Sequence, residues 1–385
     1  MTTAAPPQTM QALALVAPRT LELRALPIPE AGAHEVLVEV SHVGLCGTDW
    51  HIWSGEANYH RDAQGAAVPL ADAPQVLGHE VAGVVVAVGA EVEDLAVGDA
   101  VVLDQGLNCR SQRRDGDCAY CATGSSHQCA HYREHGITGL QGGLAGYLAL
   151  PAVNAVKVRA GFDPGQAVLT EPLACVLHAC DWLQATPARW TLDGRGASCA
   201  VETALVVGGG PAGLLFVQVL REVLGYEGRL LLADPNPAKR ALAADFGAEA
   251  VEDATAALAG ARAELVIDAS GSGPLFEALP GLMHKQATLL LYGHGHGGVG
   301  MDLLNAVQFL EPTLVSPVGA SGGFDRDDRP TVYRQALRLL ETGTVQAAPL
   351  VTHRFHGLQA AIAAFTGEAR GADYVKGIVE LGGAA

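Results

Sequence analysis

The sequence predicts an α/β protein built from a β-rich part and a doubly wound parallel sheet. Three observations carry this. The N-terminal region reads as short strands punctuated by glycine, the region after Thr203 alternates strand with helix, and a glycine fingerprint opens the first helix of that alternation. A length of 385 residues agrees with two or three domains at roughly 150 residues each.

Taking the elements in order, Val36, Val38 and Val40 alternate with Leu37, Glu39 and Ser41, which is the period of a strand with one buried face. Val81 to Val88 is a β-branched run broken at Gly83, and Val97 to Leu103 follows a turn signal. Gln166 to Leu183 changes to a helical period, and the irregular stretch from Pro187 to Val201 reads as an inter-domain connection. Then come a buried-type strand at Thr203 to Val207, an amphipathic helix at Pro211 to Leu224 and a strand at Leu230 to Ala233. Helical Lys239 to Phe246 and strand-like Leu265 to Ala269 and Thr288 to Tyr292 continue the alternation, which predicts a parallel sheet covered on both faces. Two helical stretches, Thr331 to Leu340 and Leu358 to Phe365, precede a last strand at Tyr374 to Leu381.

Composition excludes several classes. Lys and Arg total 24 against 41 Asp and Glu, a net charge of -17 that argues against a protein made to grip nucleic acid or an anionic membrane. With 49% hydrophobic and 17% charged residues, a packed core is affordable and global disorder is ruled out. No apolar run approaches the roughly 18 residues of a membrane helix. The opening MTTAAPPQTM has neither a basic head nor an apolar stretch, so a cytoplasmic location is expected. Eight cysteines are too few for a disulfide scaffold, yet Cys109, Cys118, Cys121 and Cys129 fall within 21 residues, a clustering that reads as metal binding.

Gly208-Gly-Gly210-Pro211-Ala-Gly213 follows a strand and opens a helix, matching G-x-G-x-x-G. In that pattern Gly208 makes the tight turn, Gly210 lets the backbone approach a pyrophosphate, and Gly213 packs helix on strand. The helix N-terminus, at Pro211, offers free N–H groups to the phosphates. Asp234 ends the next strand, 21 residues after Gly213, where a carboxylate can accept both ribose hydroxyls; Arg240 lies six residues further on. The competing reading is a plain glycine turn with a helix-capping aspartate.

Metal-ligating side chains occur in the β-rich part as well. Gly44-Leu-Cys46-Gly-Thr48-Asp49-Trp-His51 and Gly78-His79-Glu80 supply a thiolate, an imidazole and carboxylates, and Thr170-Glu171-Pro-Leu-Ala-Cys175 adds another carboxylate. Such a set can hold Zn²⁺ with one position open, the catalytic arrangement. Singly, Cys46 and His79 also read as ordinary core residues. Cys175, Cys180 and Cys199 read as plain thiols, Glu91-Val-Glu93-Asp94 as a solvated turn, and His294 and His296 as lining a loop beside the cofactor.

These motifs, in this order and with Pro349 to Arg354 and Val375-Lys376 near the end, resemble a zinc-dependent member of the medium-chain dehydrogenase/reductase superfamily. The closest branch is that of sorbitol and threonine dehydrogenases. The resemblance implies a GroES-like β-barrel catalytic domain (1–185 and 325–385) split around a Rossmann NAD-binding domain (186–324). It implies a catalytic zinc at Cys46, His79, Glu80 and Glu171, with Glu171 standing where alcohol dehydrogenases place a second cysteine. Both carboxylates are expected at the zinc, at most one bound directly at a time. A structural zinc is implied at Cys109, Cys118, Cys121 and Cys129, in a lobe at about 105–135. The family spacing there is C-x₂-C-x₂-C-x₇-C, and here eight residues, Arg110 to Asp117, replace the first interval. The stretch between Gly55 and Gln75 is longer than usual and borders the expected substrate cleft.

The implied activity is hydride transfer from a secondary alcohol of a polyol, sugar or sugar alcohol to NAD. Zinc would lower the pKa of the substrate hydroxyl, as it lowers that of bound water from about 15.7 to about 7. Thr48 would pass the hydroxyl proton to His51 through ribose hydroxyls or water. An amino alcohol such as threonine is the rival substrate, and a non-catalytic NAD-binding zinc protein the rival class. Homodimers or homotetramers are expected.

Overall fold

The computed structural model describes residues 8–194, 199–367 and 371–382. The chain divides into two compact units, Met1–Glu171 with Ser321–Glu341 and Val351–Ala385, and Pro172–Ala320 with Thr342–Leu350. The division departs from the boundaries read in the sequence at 185 and 325. The first break falls inside the helix Thr170–Ala185, where no change of composition marks it. The segment Thr342–Leu350 joins the second unit because Gln346 and Gln218 exchange hydrogen bonds, N to Oε1 at 2.7 Å and Nε2 to O at 3.2 Å. A contact across 128 positions leaves no local signature.

In the first unit the strand Glu35–Gly44 is the hub. It pairs antiparallel with Glu80–Val88, Tyr147–Pro151 and Lys376–Glu380. The sheet extends through Ala100–Leu103 to Ala155–Lys157 on one side and to Val351–His356 on the other, seven strands in all. A second sheet orders Thr20–Pro27, Thr9–Ala17 and Gln75–Val76. Alternation puts Val36, Val38 and Val40 on one face, where they share a core with Leu13, Leu15, Val81 and Leu148. Gly83, read as a break, lies inside an unbroken strand. A Cβ there would sit 2.3 Å from the Glu39 carbonyl and 2.5 Å from Val38 Cγ1, so the glycine permits close strand approach. The helical stretch read from Gln166 is two helices, Pro164–Ala167 and Thr170–Ala185.

The second unit is built on six parallel strands. Across the sheet they run Glu249–Val251, Arg229–Ala233, Thr203–Val207, Ala263–Asp268, Met283–Leu291 and Thr313–Val315. In chain order this is 3-2-1-4-5-6, the dinucleotide-binding topology, whose ligands sit at the carboxyl ends of the strands where the order reverses. Burial on both faces explains the unbroken apolar runs at Ala204–Val207 and Leu230–Leu232. Pro211–Gln218 is α-helical and continues as a π-turn, Val219–Val223, with Leu224 N donating to Val219 O at 2.9 Å. The connection from Pro187 contains a short parallel pair, Trp190–Thr191 with Cys199–Ala200; residues 195–198 lie outside the described residues. No helix among the described residues is long and apolar enough to cross a membrane.

Candidate metal centre and dinucleotide loop

Strand register assembles the first cluster. Gly44 is paired with Glu80 on one neighbour and with Ile378 on the other, so the end of the hub strand lies between the start of one strand and the middle of another. Cys46 follows the first strand as the N-cap of helix Gly47–Ser54, and His79 immediately precedes the second. The ligand atoms of Cys46, His79 and Glu80 all lie within 4.8 Å of one another. Asp49, fully buried, ties the pieces together. Its Oδ2 accepts from Cys46 N at 2.9 Å, its Oδ1 accepts from Gly78 N at 3.1 Å, and Oδ1 lies 3.4 Å from His79 Nδ1. Gly44 is required by the same packing, because a Cβ would fall 1.9 Å from Glu80 Oε2.

Glu171 stands in the first turn of its helix, buried, with Oε1 accepting from Gln105 Nε2 at 3.1 Å. It is close enough for its charge to act on Glu80. Lys376, 2% exposed, brings Nζ within 2.5 Å of both Glu80 oxygens. Burial works against this ammonium, but Glu80 and then Cys46 outweigh it and hold Lys376 above the ordinary lysine range. Burial likewise pulls His79 down, and Asp49 and Cys46 more than reverse it, leaving the imidazole well above its usual value. Buried Asp49 and Glu80 and the half-buried Cys46 thiol thus lie around one ammonium and one imidazole, while Glu171 stands outside the grouping of ligand atoms within 4.8 Å. Such an excess of buried acidic groups is costly without a cation, and thiolate, imidazole and carboxylate are the donors that suit zinc.

Thr48 and His51 occupy the helix that starts at Cys46. Thr48 Oγ1 is 3.7 Å from Cys46 Sγ. His51 Nδ1 lies 2.9 Å from Glu56 Oε2, a partner the sequence reading did not anticipate. The long stretch after Gly55 is folded by local hydrogen bonds and packs Leu70 against the core of the first unit. Asn58 Nδ2 donates to Val68 O at 2.9 Å, Arg61 bridges to Ala67, and Asp62 Oδ1 accepts from Gln64 N and Ala66 N.

The second cluster brings together Cys109, Cys118, Cys121 and Cys129, with all four sulfurs within 4.8 Å. Tetrahedral Zn–S bonds of about 2.3 Å separate sulfurs by about 3.8 Å. The Cys109–Cys129 and Cys118–Cys129 distances are 3.6 and 3.9 Å, a metal-like spacing far too long for a disulfide. The eight-residue insertion closes on itself, through Arg114 N to Cys109 O at 2.9 Å and the Arg110–Asp117 ion pair at 3.0 Å, and so returns Cys118 to Cys109. Backbone hydrogen bonds, led by that of Cys121, pull the Cys118 thiol down to about 6. No other such grouping of His, Cys, Asp and Glu occurs among the described residues.

In the second unit Gly208 has φ +96°, as a tight turn after the central strand demands. A Cβ on Gly213 would meet the Gly208 carbonyl at 1.8 Å, whereas one on Gly210 would meet nothing within 4 Å, so Gly210 faces open space. Pro211 is the first helical residue. Asp234 Oδ2 accepts from Gly209 N at 2.6 Å and Oδ1 from Asn236 N at 2.7 Å, so the carboxylate shapes the glycine loop itself. Arg240 donates to the carbonyls of Asp234 and Pro235 and lies 3.6 Å from Glu252. His296 Nε2 lies 2.6 Å from the buried Asp268, at the carboxyl end of the fourth strand. Cys175 and Cys180 are buried and Cys199 is half-buried.

A barrel-like unit with a thiolate–imidazole–carboxylate cluster, joined in one chain to a dinucleotide-binding sheet, defines a metal-dependent oxidoreductase class. Residues 32–160 match the family model described as the alcohol dehydrogenase GroES-like domain. The L-threonine 3-dehydrogenase of Pyrococcus abyssi is 30% identical over 345 residues, 87% of this chain and 88% of that protein. The sorbitol dehydrogenase of Arabidopsis thaliana is 27% identical over 382 residues, 95% of this chain and 94% of that one. A Sinorhizobium meliloti protein described as a zinc-binding dehydrogenase and solved with NADP has a TM-score of 0.77 and 27% identity, covering 97% of this chain and 100% of that chain. The chain belongs to the zinc-dependent medium-chain dehydrogenase/reductase superfamily, in its sorbitol and threonine dehydrogenase branch.

Proposed function

We propose that this protein transfers hydride from a secondary alcohol of a polyol, sugar or sugar alcohol to NAD, with one catalytic and one structural zinc. The observation that carries the reading is the convergence of Cys46, His79 and Glu80 with Glu171 close by, in a chain that also holds an open dinucleotide loop at Gly210. Cys46 and His79 would ligate the catalytic zinc, with Glu80 and Glu171 at the same ion and at most one of them bound directly. Cys109, Cys118, Cys121 and Cys129 would hold the structural one. Zinc at the catalytic site supplies a Lewis acid that makes a substrate hydroxyl acidic near neutral pH.

The remaining work falls to the chain. Thr48 accepts the hydroxyl proton at Oγ1 and passes it by way of ribose hydroxyls or water to His51. Glu56, at His51 Nδ1, favours the tautomer with its proton on that nitrogen and leaves Nε2 to receive. Gly208, Gly210, Pro211 and Gly213 seat the pyrophosphate, and Asp234 takes the adenosine ribose. Hydride acceptance is the cofactor's own chemistry, and the protein contributes alignment.

A threonine-type amino alcohol is the second reading, favoured by the 30% identity to the Pyrococcus enzyme. A homodimer or homotetramer is proposed too, since the edge strand Thr313–Val315 leaves Leu314 58% exposed, with Met301 and Phe309 also exposed in the preceding segment. The test is metal analysis joined to NADH formation across a panel of polyols and amino alcohols. Reduction with polyols is expected; turnover of threonine alone would favour the second reading, and no turnover with any alcohol would sink both.

A further inference from the structure

Two buried side chains behind the metal cluster stand outside the mechanism above. Gln105, 5% exposed, donates from Nε2 to Glu171 Oε1 at 3.1 Å, and its Oε1 accepts from the hydroxyl of Tyr333. An ionised carboxylate only accepts, so the Gln105 amide must turn its N–H group to Glu171 and its oxygen to Tyr333. Tyr333, 1% exposed and on the helix Thr331–Glu341, presents its hydroxyl both to that oxygen and to the Asp104 carboxyl. With the hydroxyl proton turned to Gln105, donors run from Tyr333 through Gln105 to Glu171.

The amide rests on a rigid support. Asp104 N donates to Asn154 O at 2.8 Å, and Asn154 Nδ2 donates back to Asp104 O at 3.0 Å and to Gly106 O at 2.8 Å. His135 N donates to Gln105 O at 3.0 Å, and Gly106 N to Asp104 Oδ1 at 2.9 Å. A turn pinned on both sides of Gln105 holds its side chain at a set distance from Glu171, the kind of outer support that orients groups at a metal.

We propose that Gln105, aligned by Tyr333, is a positioning residue that sets the rotation of the Glu171 carboxylate toward the metal. This rests on the metal reading of Cys46, His79 and Glu171. Neither residue would touch substrate; both act through Glu171.

The experiment compares Gln105→Met, Tyr333→Phe and the double variant, with Cys46→Ser as control. Zinc affinity is read by chelator competition, and the visible bands of the Co²⁺-substituted protein report the coordination geometry. Gln105→Met is expected to weaken the catalytic metal about 10–100-fold, the range typical of outer-shell partners, and to shift the Co²⁺ bands. Tyr333→Phe keeps the ring and its packing, and is expected to give a smaller loss in the same direction. The double variant should match Gln105→Met, because both changes break one chain of bonds. Unchanged affinity and bands in Gln105→Met, or additive losses in the double variant, overturn the positioning role. If Cys46→Ser keeps all its metal, the metal reading itself has failed. If Cys46→Ser loses that metal while Gln105→Met does not, only the positioning role has.

Discussion

Lys376 Nζ lies 2.5 Å from both carboxylate oxygens of Glu80, a buried ion pair formed across 296 positions of sequence at the edge of the metal cluster. It gives Glu80 a cation of its own, so Glu80 can meet the metal only by sharing or leaving Lys376. Replacing Lys376 by Met would strand a buried carboxylate, and loss of one partner of such a pair typically costs about 3–5 kcal/mol. Urea unfolding of the metal-free protein should show that loss, and Glu80→Gln added to Lys376→Met should recover part of it. A Lys376→Met protein as stable as the wild type would mean the pair carries no weight. Glu80→Ala and Glu171→Ala should each lower metal affinity or turnover by about 10–100-fold; a variant keeping both in full would remove that carboxylate from the site.

Cofactor choice should follow Asp234. A 2′-phosphate beside this carboxylate meets a repulsion of about 4 kcal/mol at 4 Å and an effective dielectric of 20. Arg240 offers limited relief, since its guanidinium already binds the carbonyls of Asp234 and Pro235. We expect kcat/KM for NAD to exceed that for NADP by roughly 10²–10³, and Asp234→Ser to shrink the ratio. Comparable values for the two cofactors in the wild type would exclude this role for Asp234.

The cysteine lobe should bind one zinc per chain without taking part in hydride transfer. Cys121→Ser is expected to lower the zinc content by one equivalent and to reduce Tm, while kcat at moderate temperature stays near that of the wild type. A wild-type content of one zinc that vanishes in Cys46→Ser would show the lobe to be empty.

Stability should depend on pH through Asp104. Burial pushes its carboxyl up to about 7, opposed by the Gly106 N–H and the Tyr333 hydroxyl and reinforced by Glu171 and Glu134. Between roughly pH 4 and 7 the native state keeps a proton that the unfolded chain has released. The contribution to stability is therefore full below this window and is lost as pH rises through it. Asp104→Asn should remove the dependence, so that variant and wild type diverge by about 2–3 kcal/mol between pH 5 and pH 8. Parallel stability–pH curves would place the titration elsewhere.

Oligomerisation should depend on the exposed sheet edge. Leu314→Asp puts a charge at the centre of the edge strand and is expected to lower the assembly state in sedimentation velocity, with the fold retained by circular dichroism. An unchanged sedimentation coefficient would assign the contact to another surface.

Local chemistry determined much of this protein from sequence alone. The alternation after Thr203 and the glycine fingerprint depend on neighbours a few positions apart, so both the parallel sheet and the turn at Gly208 were legible. The cysteines were legible by their number and spacing, even with eight residues inserted after Cys109. Strand pairing, by contrast, belongs to the tertiary structure. Only the register of Gly44 with Glu80 and Ile378 brings Cys46, His79, Glu80 and Lys376 to one end of one sheet, because no periodicity links positions that far apart. Gly83 illustrates the limit, since its missing side chain reads as a break in the sequence and is close packing against Glu39 in the fold. Gln105 and Tyr333 carried no motif at all. Their relation to Glu171 comes from burial, where each polar atom must find a partner and the donors and acceptors available decide which one it takes.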